Sequence, residues 1–349
     1  MAVISEARPP NSGNPNPTGF ALWRERTANT RAAYLYLVPA FIVMAIITFY
    51  PMFYQVWMSF TDFGIKNLRG TIPPNMVGLQ NYQQILNGAL QAKIANFSFW
   101  RVLAFNLVWT ITNVPIHVVL GVLIAELLNT SGLWFKKVYR AIYVLPLVLP
   151  WLVVATVFRN LFDQDSGAIN LLLAWIGQFF GISKEIFRIR WFESIVPPIQ
   201  WFLPGMPLPL SYYAMLFTNV WMGWPFMCIV ATGALQSIPR DLYEAASIDG
   251  ASGRQQFFNI TVPLLKPAMI PAAMVGTIIT FNLFNCIFFM SGGGPLYSTN
   301  ILVTVAYDLV RTQRLYGIAA AFCVIIFFVL LALTLATNRI TRATERYDV

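Results

Sequence analysis

Side chains that do covalent or proton chemistry are scarce in this 349-residue chain, which carries one histidine and three cysteines. His117 stands in an apolar run. A zinc site, a HExxH helix or a Ser/His or Cys/His dyad would have to rest on that one imidazole. It reads as a pore-lining or hydrogen-bonded core residue. Cys228, Cys286 and Cys323 each lie in long apolar segments and form no CxxC pair, so they read as small packing groups. No Gly-Lys-Ser/Thr occurs, so the chain has no P-loop and does not hydrolyse ATP by that route. Glu126, near the end of an apolar segment, reads as an interfacial carboxylate rather than a member of a proton relay. No catalytic and no metal-ligating residue is assigned.

Patterned polar residues lie elsewhere. Between two apolar runs stands Pro239-Arg-Asp-Leu-Tyr-Glu244-Ala-Ala-Ser-Ile-Asp249-Gly250-Ala-Ser-Gly-Arg254-Gln255, leading to Pro263 and Pro267. Pro239 suits a first helical position, and Asp241 and Glu244 then favour the positive end of the helix dipole. Ala245 and Ala246 leave that helix slim enough for another protein to approach closely. Gly250 suits the left-handed residue that ends a helix. Ser252 with Gln255 forms a capping box for a second short helix. Arg240, Arg254 and Lys266 balance Asp241, Glu244 and Asp249. The segment therefore predicts a rigid two-helix element at a membrane surface, more than a connector needs, although an idle amphipathic loop would share part of the pattern. A second set is neutral. Asn282 and Asn285 lie three apart, which would put both amides on one helix face. Asn219, Trp221 and Trp224 mark another apolar segment, and Asn106 and Asn113 a third. Amides hydrogen-bond sugar hydroxyls and aromatic faces stack on sugar rings. The same residues also serve as interhelical bonds and interface anchors.

The elements that must position them are membrane helices. The chain is 57% hydrophobic and 11% charged, against about 25% charged in soluble domains. This excludes an ordinary soluble enzyme and a disordered protein. The net charge of +9 comes from few charges, which argues against a nucleic-acid partner and for membrane topology. Segments near 34–60, 102–128, 138–160, 211–235, 268–290 and 316–337 reach the roughly 20 apolar residues that a span needs. The expected class is all-α and polytopic, with about six transmembrane helices and a cytoplasmic two-helix coupling loop. The expected organisation is a disordered cytoplasmic tail, 1–33; a first span, 34–60; an outward-facing loop, 61–101; a core, 102–337, with the loop 238–267 and an outward-facing insert, 161–210; and a cytoplasmic tail, 338–349. Within the insert, Ala168 to Phe180 is apolar but too short to span and reads as an interfacial helix. Arg24, Arg26 and Arg31 before the first span, with Lys136, Lys137 and Arg140 before the third, favour both termini in the cytoplasm by a modest bias.

The spacing Glu244-Ala-Ala, Gly250, Ile260-x-Val262-Pro263 resembles the EAA motif of binding-protein-dependent ABC importer permeases, with Val262 where leucine is usual. Ser59-Phe60-Thr61-Asp62, Val77-Gly78-Leu79-Gln80-Asn81-Tyr82, Leu127-Leu128-Asn129, Leu242-Tyr243 and Phe281-Asn282 through Ser291-Gly-Gly-Gly-Pro295 resemble the maltose-type, carbohydrate-importing branch. The resemblance covers nearly the whole chain after residue 33, and the insert is longer than usual for it.

That resemblance implies a permease subunit in the plasma (inner) membrane of a prokaryote, importing a sugar or oligosaccharide by alternating access. It implies a second permease subunit, two ATPase subunits that carry ATP and Mg, and an extracytoplasmic solute-binding protein; this chain itself would bind no cofactor. Glu244, Ala245, Ala246, Asp249, Gly250, Arg254 and Pro263 would contact the ATPase. Asn282, Asn285, Asn219, Trp221, Trp224, Asn106 and Asn113 would line the solute path. A non-sugar polar solute such as a glycerol-phosphate compound also fits, and an ion-coupled secondary transporter is the rival outside the family.

Overall fold

The computed structural model describes residues 34–341 apart from 95, 131, 197 and 199–207. The expected tail 1–33, the last eight residues of the expected tail 338–349 and the Pro-rich end of the insert lie outside the described residues. The chain forms two compact units, residues 1–57 and 58–349.

In the first unit, the helix α1 (Tyr34–Met58) is apolar and long enough to cross a membrane. It widens into a π-turn over Ala45–Phe49, where the Tyr50 N–H reaches the Ala45 carbonyl. Pro51 follows directly; it has no N–H to donate and its ring crowds the carbonyl four residues back, so the turn opens by one residue.

The second unit is helical, with one isolated antiparallel bridge, Thr61–Met76, among its described residues. Its helices are α2 (Gln80–Leu86), α3 (Phe99–Asn129), α4 (Lys136–Val148), α5 (Trp151–Leu161), α6 (Ala168–Phe179), α7 (Leu210–Ser237), α8 (Arg240–Ile248), α9 (Gly253–Gln256), α10 (Val262–Phe281), α11 (Phe284–Met290), α12 (Leu302–Arg311) and α13 (Tyr316–Thr341). Counting α9 to α11 as one rod, five described helices are long and apolar enough to span a membrane, and a bent pair makes a sixth.

That pair occupies the expected span 138–160. α4 and α5 meet at 99°. Leu149 and Pro150 are extended (ψ 132° and 134°), because Pro150 drives the residue before it out of the helical region and supplies no donor. The insert helix α6 has 12 residues, too few to cross, as its length predicts.

α3 and α7 pack along one another, and α10 packs against both. Glycines allow the close approach. A Cβ on Gly121 would stand 2.5 Å from the Met227 Cβ, and one on Gly223 would collide with the His117 ring. Each helix thus offers a small residue to a bulky one on its partner, the usual device where lipid supplies no hydrophobic drive between helices. Three buried clusters fill the unit. One surrounds Phe97, Phe322 and Leu309, one Trp109, Tyr212 and Ile287, and one Met227, Cys228 and Leu265.

The rod from Gly253 to Met290 sets the polarity of this unit. α8 and α9 lie at its start. Beyond its far end gather the bridge region, the insert and the turn before α12. The Gly317 N–H donates to the Phe63 carbonyl at 2.9 Å, and Arg159 Nη1 donates to the Phe289 carbonyl at 3.4 Å.

Candidate functional site

α8 begins after Pro239, which is the capping residue rather than the first helical one. Its far end is a Schellman motif: Gly250 sits at φ +79°, the Ala251 N–H donates to the Ala246 carbonyl at 2.9 Å, and the Gly250 N–H to the Ser247 carbonyl at 3.1 Å. The capping box forms, with the Gln255 N–H on Ser252 Oγ and the Ser252 N–H on Gln255 Oε1. Two further bonds weld the helices together. Gln256 Nε2 donates to Ser247 Oγ at 2.9 Å, and the Tyr243 hydroxyl meets Thr261 Oγ1 at 2.9 Å. Tyr243 stands out in the sequence only as part of the family resemblance, and Ser247, Gln256 and Thr261 do not stand out at all, since no spacing rule links one helix to the next.

Thr261 lies in a second π-turn, Phe257–Thr261, where the Val262 N–H reaches back to the Phe257 carbonyl. Again a proline follows at once, here Pro263. α8, α9 and α10 therefore form one hydrogen-bonded body whose angular register Pro263 helps to set.

Arg240, Asp241, Glu244, Asp249, Arg254 and Lys266 are all exposed. Their signs balance, yet the ion pairs of the described residues, Lys66–Asp62 and Arg188–Asp165, lie at the other end. Leu242 and Ile248 are also exposed, Ile248 to 87%. This is a surface of unpaired charges and bare apolar groups on a rigid support.

The second feature is a cavity of about 260 Å³, lined in part by His117, Leu149, Trp151, Asn219, Gly223 and Leu283. It lies between two helix breaks. One is Leu149–Pro150. The other is Asn282–Leu283, where α10 ends: Asn282 (φ −100°) turns its own amide back onto the Ile278 carbonyl at 3.2 Å, and Leu283 leaves the helical region (φ −76°, ψ 67°). Asparagine side chains compete with the helix ladder in this way. Carbonyls at the break need donors. Asn106 Nδ2 donates to Phe281 at 3.0 Å and Trp109 Nε1 to Thr280 at 3.2 Å.

Of the residues expected along the solute path, Asn219 lines this cavity. The others are placed differently. Asn282 and Asn285 do not share one helix face, because the chain breaks between them; Asn285 is exposed on α11. Asn106 and Asn113 are fully buried and bonded between helices: Asn106 Oδ1 accepts the Leu302 N–H at 2.9 Å, and Asn113 Oδ1 accepts Asn219 Nδ2 at 2.7 Å. Trp221 packs on Phe158 with ring centroids 5.3 Å apart, and Trp224 on Tyr143 at 5.9 Å. His117 is 3% exposed and bonds the Asn219 carbonyl through Nε2 at 3.0 Å.

At the far end, the two sequence segments around Asp62 and Asn81 meet. Asn81 Nδ2 donates to the Ser59 and Thr61 carbonyls, at 2.9 and 2.8 Å. Asp62 accepts from Lys66 Nζ and from the N–H and side chain of Asn75, which together hold its carboxyl down at about 2. In the insert, Asn170 Nδ2 donates to the Gln164 and Ile189 carbonyls at 3.0 Å each, and its Oδ1 accepts Trp191 Nε1 at 2.9 Å.

The sequence model of the binding-protein-dependent transport system inner membrane component matches residues 117–345. The galactooligosaccharides transport system permease protein GanP of Bacillus subtilis is 31% identical over 319 residues, covering 89% of this chain and 70% of that protein. The trehalose/maltose transport system permease protein MalF of Thermococcus litoralis is 28% identical over 312 residues, covering 89% and 94%. In fold, the chain is similar to a subunit of a bacterial ABC transporter involved in the import of the acidic polysaccharide alginate, with a TM-score of 0.71, 21% identity and 93% of this chain covered. A matched model that spans α7, the α8–α9 element and the rod to Met290, with relatives aligned along nearly all of the chain, places this protein in the family of binding-protein-dependent transport system inner membrane components.

Proposed function

We propose that this chain is the permease subunit of an ATP-driven importer that moves an oligosaccharide by alternating access, and that α8–α9 is the element through which separate ATPase subunits act on it. The observation that carries the reading is the exposed, unpaired charge set on a helix pair bonded into α10. The partners are a second permease subunit, different from this one, two ATPase subunits holding ATP and Mg, and an extracytoplasmic solute-binding protein. In this reading α8–α9 and both termini face the cytoplasm, so the bridge region and the insert face outward.

The force path follows from the bonds. Closure of the ATPases displaces Glu244, which pairs with a basic side chain of the ATPase. α8 transmits the displacement through Tyr243–Thr261 and Ser247–Gln256 into α9 and α10 as one body. α10 ends at the Asn282–Leu283 break, which borders the cavity. Rigid-body motion of this rod therefore changes access to the cavity, the usual logic of broken-helix transporters. A saccharide fits the relatives' names and the cavity's chemistry: apart from one imidazole the lining is uncharged, with amide, hydroxyl and indole groups to meet hydroxyls and ring faces.

The test is Gly250→Asp in the complete transporter. An L-residue at φ +79° costs about 1–2 kcal/mol, and the new carboxylate stands beside Asp249. Saccharide-stimulated ATP hydrolysis should fall about tenfold or more, or the ATPase subunits should no longer co-purify, while the helices stay inserted. If hydrolysis and co-purification both survive, the coupling role is wrong. Uptake of labelled maltodextrins and galacto-oligosaccharides, with and without the binding protein, identifies the solute.

A further inference from the structure

A second cavity, of about 330 Å³, lies at the end of the unit away from α8–α9. α12 turns Leu302, Val305, Ala306 and Leu309 into the core and presents Thr304, Tyr307, Asp308 and Arg311 to this cavity. Phe288 of α11 and Asn300 complete the working wall. The aromatic side is built and accessible. The Tyr307 ring centroid lies 5.1 Å from that of Phe288 and 4.9 Å from that of Phe284, and Phe288 and Tyr307 are 36% and 39% exposed.

The polar side is held in place with bonding capacity to spare. Asn300 is 5% exposed; its Oδ1 accepts from Thr304 Oγ1 at 2.8 Å, and its Nδ2 has no partner among the described residues. Asp308 accepts the Tyr297 hydroxyl on Oδ2 at 2.9 Å. Burial and this neighbouring carboxylate push the Tyr297 phenol up to about 12, so the hydroxyl remains the donor at physiological pH. Leu296 and Tyr297 both sit at positive φ, 48° and 62°, a backbone state that such residues rarely adopt. Arg311 is exposed and forms no ion pair among the described residues.

Aromatic rings that share a cavity with an amide, a carboxylate and a guanidinium supply the chemistry that receives a pyranose ring, its C–H face on the rings and its hydroxyls on the polar groups. The two cavities lie on one rod. Leu283, at the break after α10, lines the first, and Phe288, on α11 just beyond it, lines the second. We infer that this second cavity is an outer subsite that holds one neutral pyranose ring of the saccharide before the chain enters the first cavity. The inference rests on the oligosaccharide-permease reading.

The test uses the complete transporter in proteoliposomes, with maltotriose and β-1,4-galactotriose as probes. Losing charged hydrogen-bond partners in Asp308→Asn/Arg311→Gln should raise the apparent KM of the transported trisaccharide about fivefold or more at unchanged Vmax. Tyr307→Leu should do the same, and Tyr307→Phe, which keeps the ring, should restore most of the loss. Saturation-transfer NMR on the same complexes should lose the ring-proton signal in parallel. Should Tyr307→Leu fail to assemble, the half-buried Asp308 and the exposed Arg311 decide. Unchanged KM in an assembled double variant overturns the subsite and leaves the permease reading standing. A wild-type transporter that moves neither trisaccharide overturns the saccharide reading and the subsite with it.

Discussion

Gly223 and Asp62 show how single residues carry the fold at opposite places. Gly223 lies against the His117 ring with no room for a Cβ, so Gly223→Ala overpacks the α3–α7 contact by about 1–3 kcal/mol. The melting midpoint of the purified complex should fall. His117→Ala in the same background, which empties the space, should recover much of the loss. Asp62 acts through charge. Its folded pKa, about 2, lies below the unfolded value near 3.9. Its contribution is therefore complete above pH 4 and is lost as pH falls toward 2. Hydrogen exchange over 64–78 should accelerate across that window, and Asp62→Asn should already show fast exchange at the Asn75 amide at pH 7. A flat profile would mean that the Asp62 bonds do not hold this segment.

Elements matter here for where they stop. Both π-turns of the described chain, Ala45–Phe49 and Phe257–Thr261, end two residues before a proline, and the α4–α5 corner stands on another. A π-turn adds one residue to a turn, which rotates everything before it by about 100° around the helix axis. Pro263→Ala gives that position back its N–H and lets a regular α-turn form. The Tyr243–Thr261 bond would then lose its register, and α8 would point elsewhere. We expect transport to fall with expression and insertion intact, and disulfide trapping between Tyr243→Cys and Thr261→Cys to drop in the Pro263→Ala background. Equal trapping with and without Pro263 would show that the proline does not set the register. The same logic separates Asn282 from Asn285: an amide that returns to the Ile278 carbonyl ends α10 where three-residue spacing in sequence suggests one continuous face.

At the scale of the second unit, polarity runs along the rod from Gly253 to Met290, with the charged helix pair at one end and the insert and α12 at the other. The insert helix α6 leaves Leu171, Leu172, Trp175 and Phe179 exposed, Phe179 to 87%, while Asn170 and Gly177 face inward. We propose that this short amphipathic helix lies in the headgroup region of the bilayer. A spin label on Leu172→Cys should be relaxed more by oxygen than by a water-soluble nickel chelate in reconstituted transporter. The reverse ratio would place α6 in water.

Composition, periodicity and the spacing from Glu244 to Pro263 determined much of this protein without coordinates. They were enough for an all-helical membrane class, the position of five spans, a non-spanning insert helix and a two-helix loop with its caps, because hydrophobic length, capping boxes and glycine stops act within a few residues of one another. Tertiary structure alone decided that α10 breaks at Asn282–Leu283 and what the amides face. Asn106, Asn113 and Asn219 look like solute ligands in a string of letters; in space Asn106 closes the carbonyl gap left by the α10 break, while Asn113 and Asn219 bond to each other, and Asn219 also lines the cavity beside His117. The partners of a buried amide come from helices more than a hundred residues away, and no local pattern records which of them will be left without a hydrogen bond until the helices are packed.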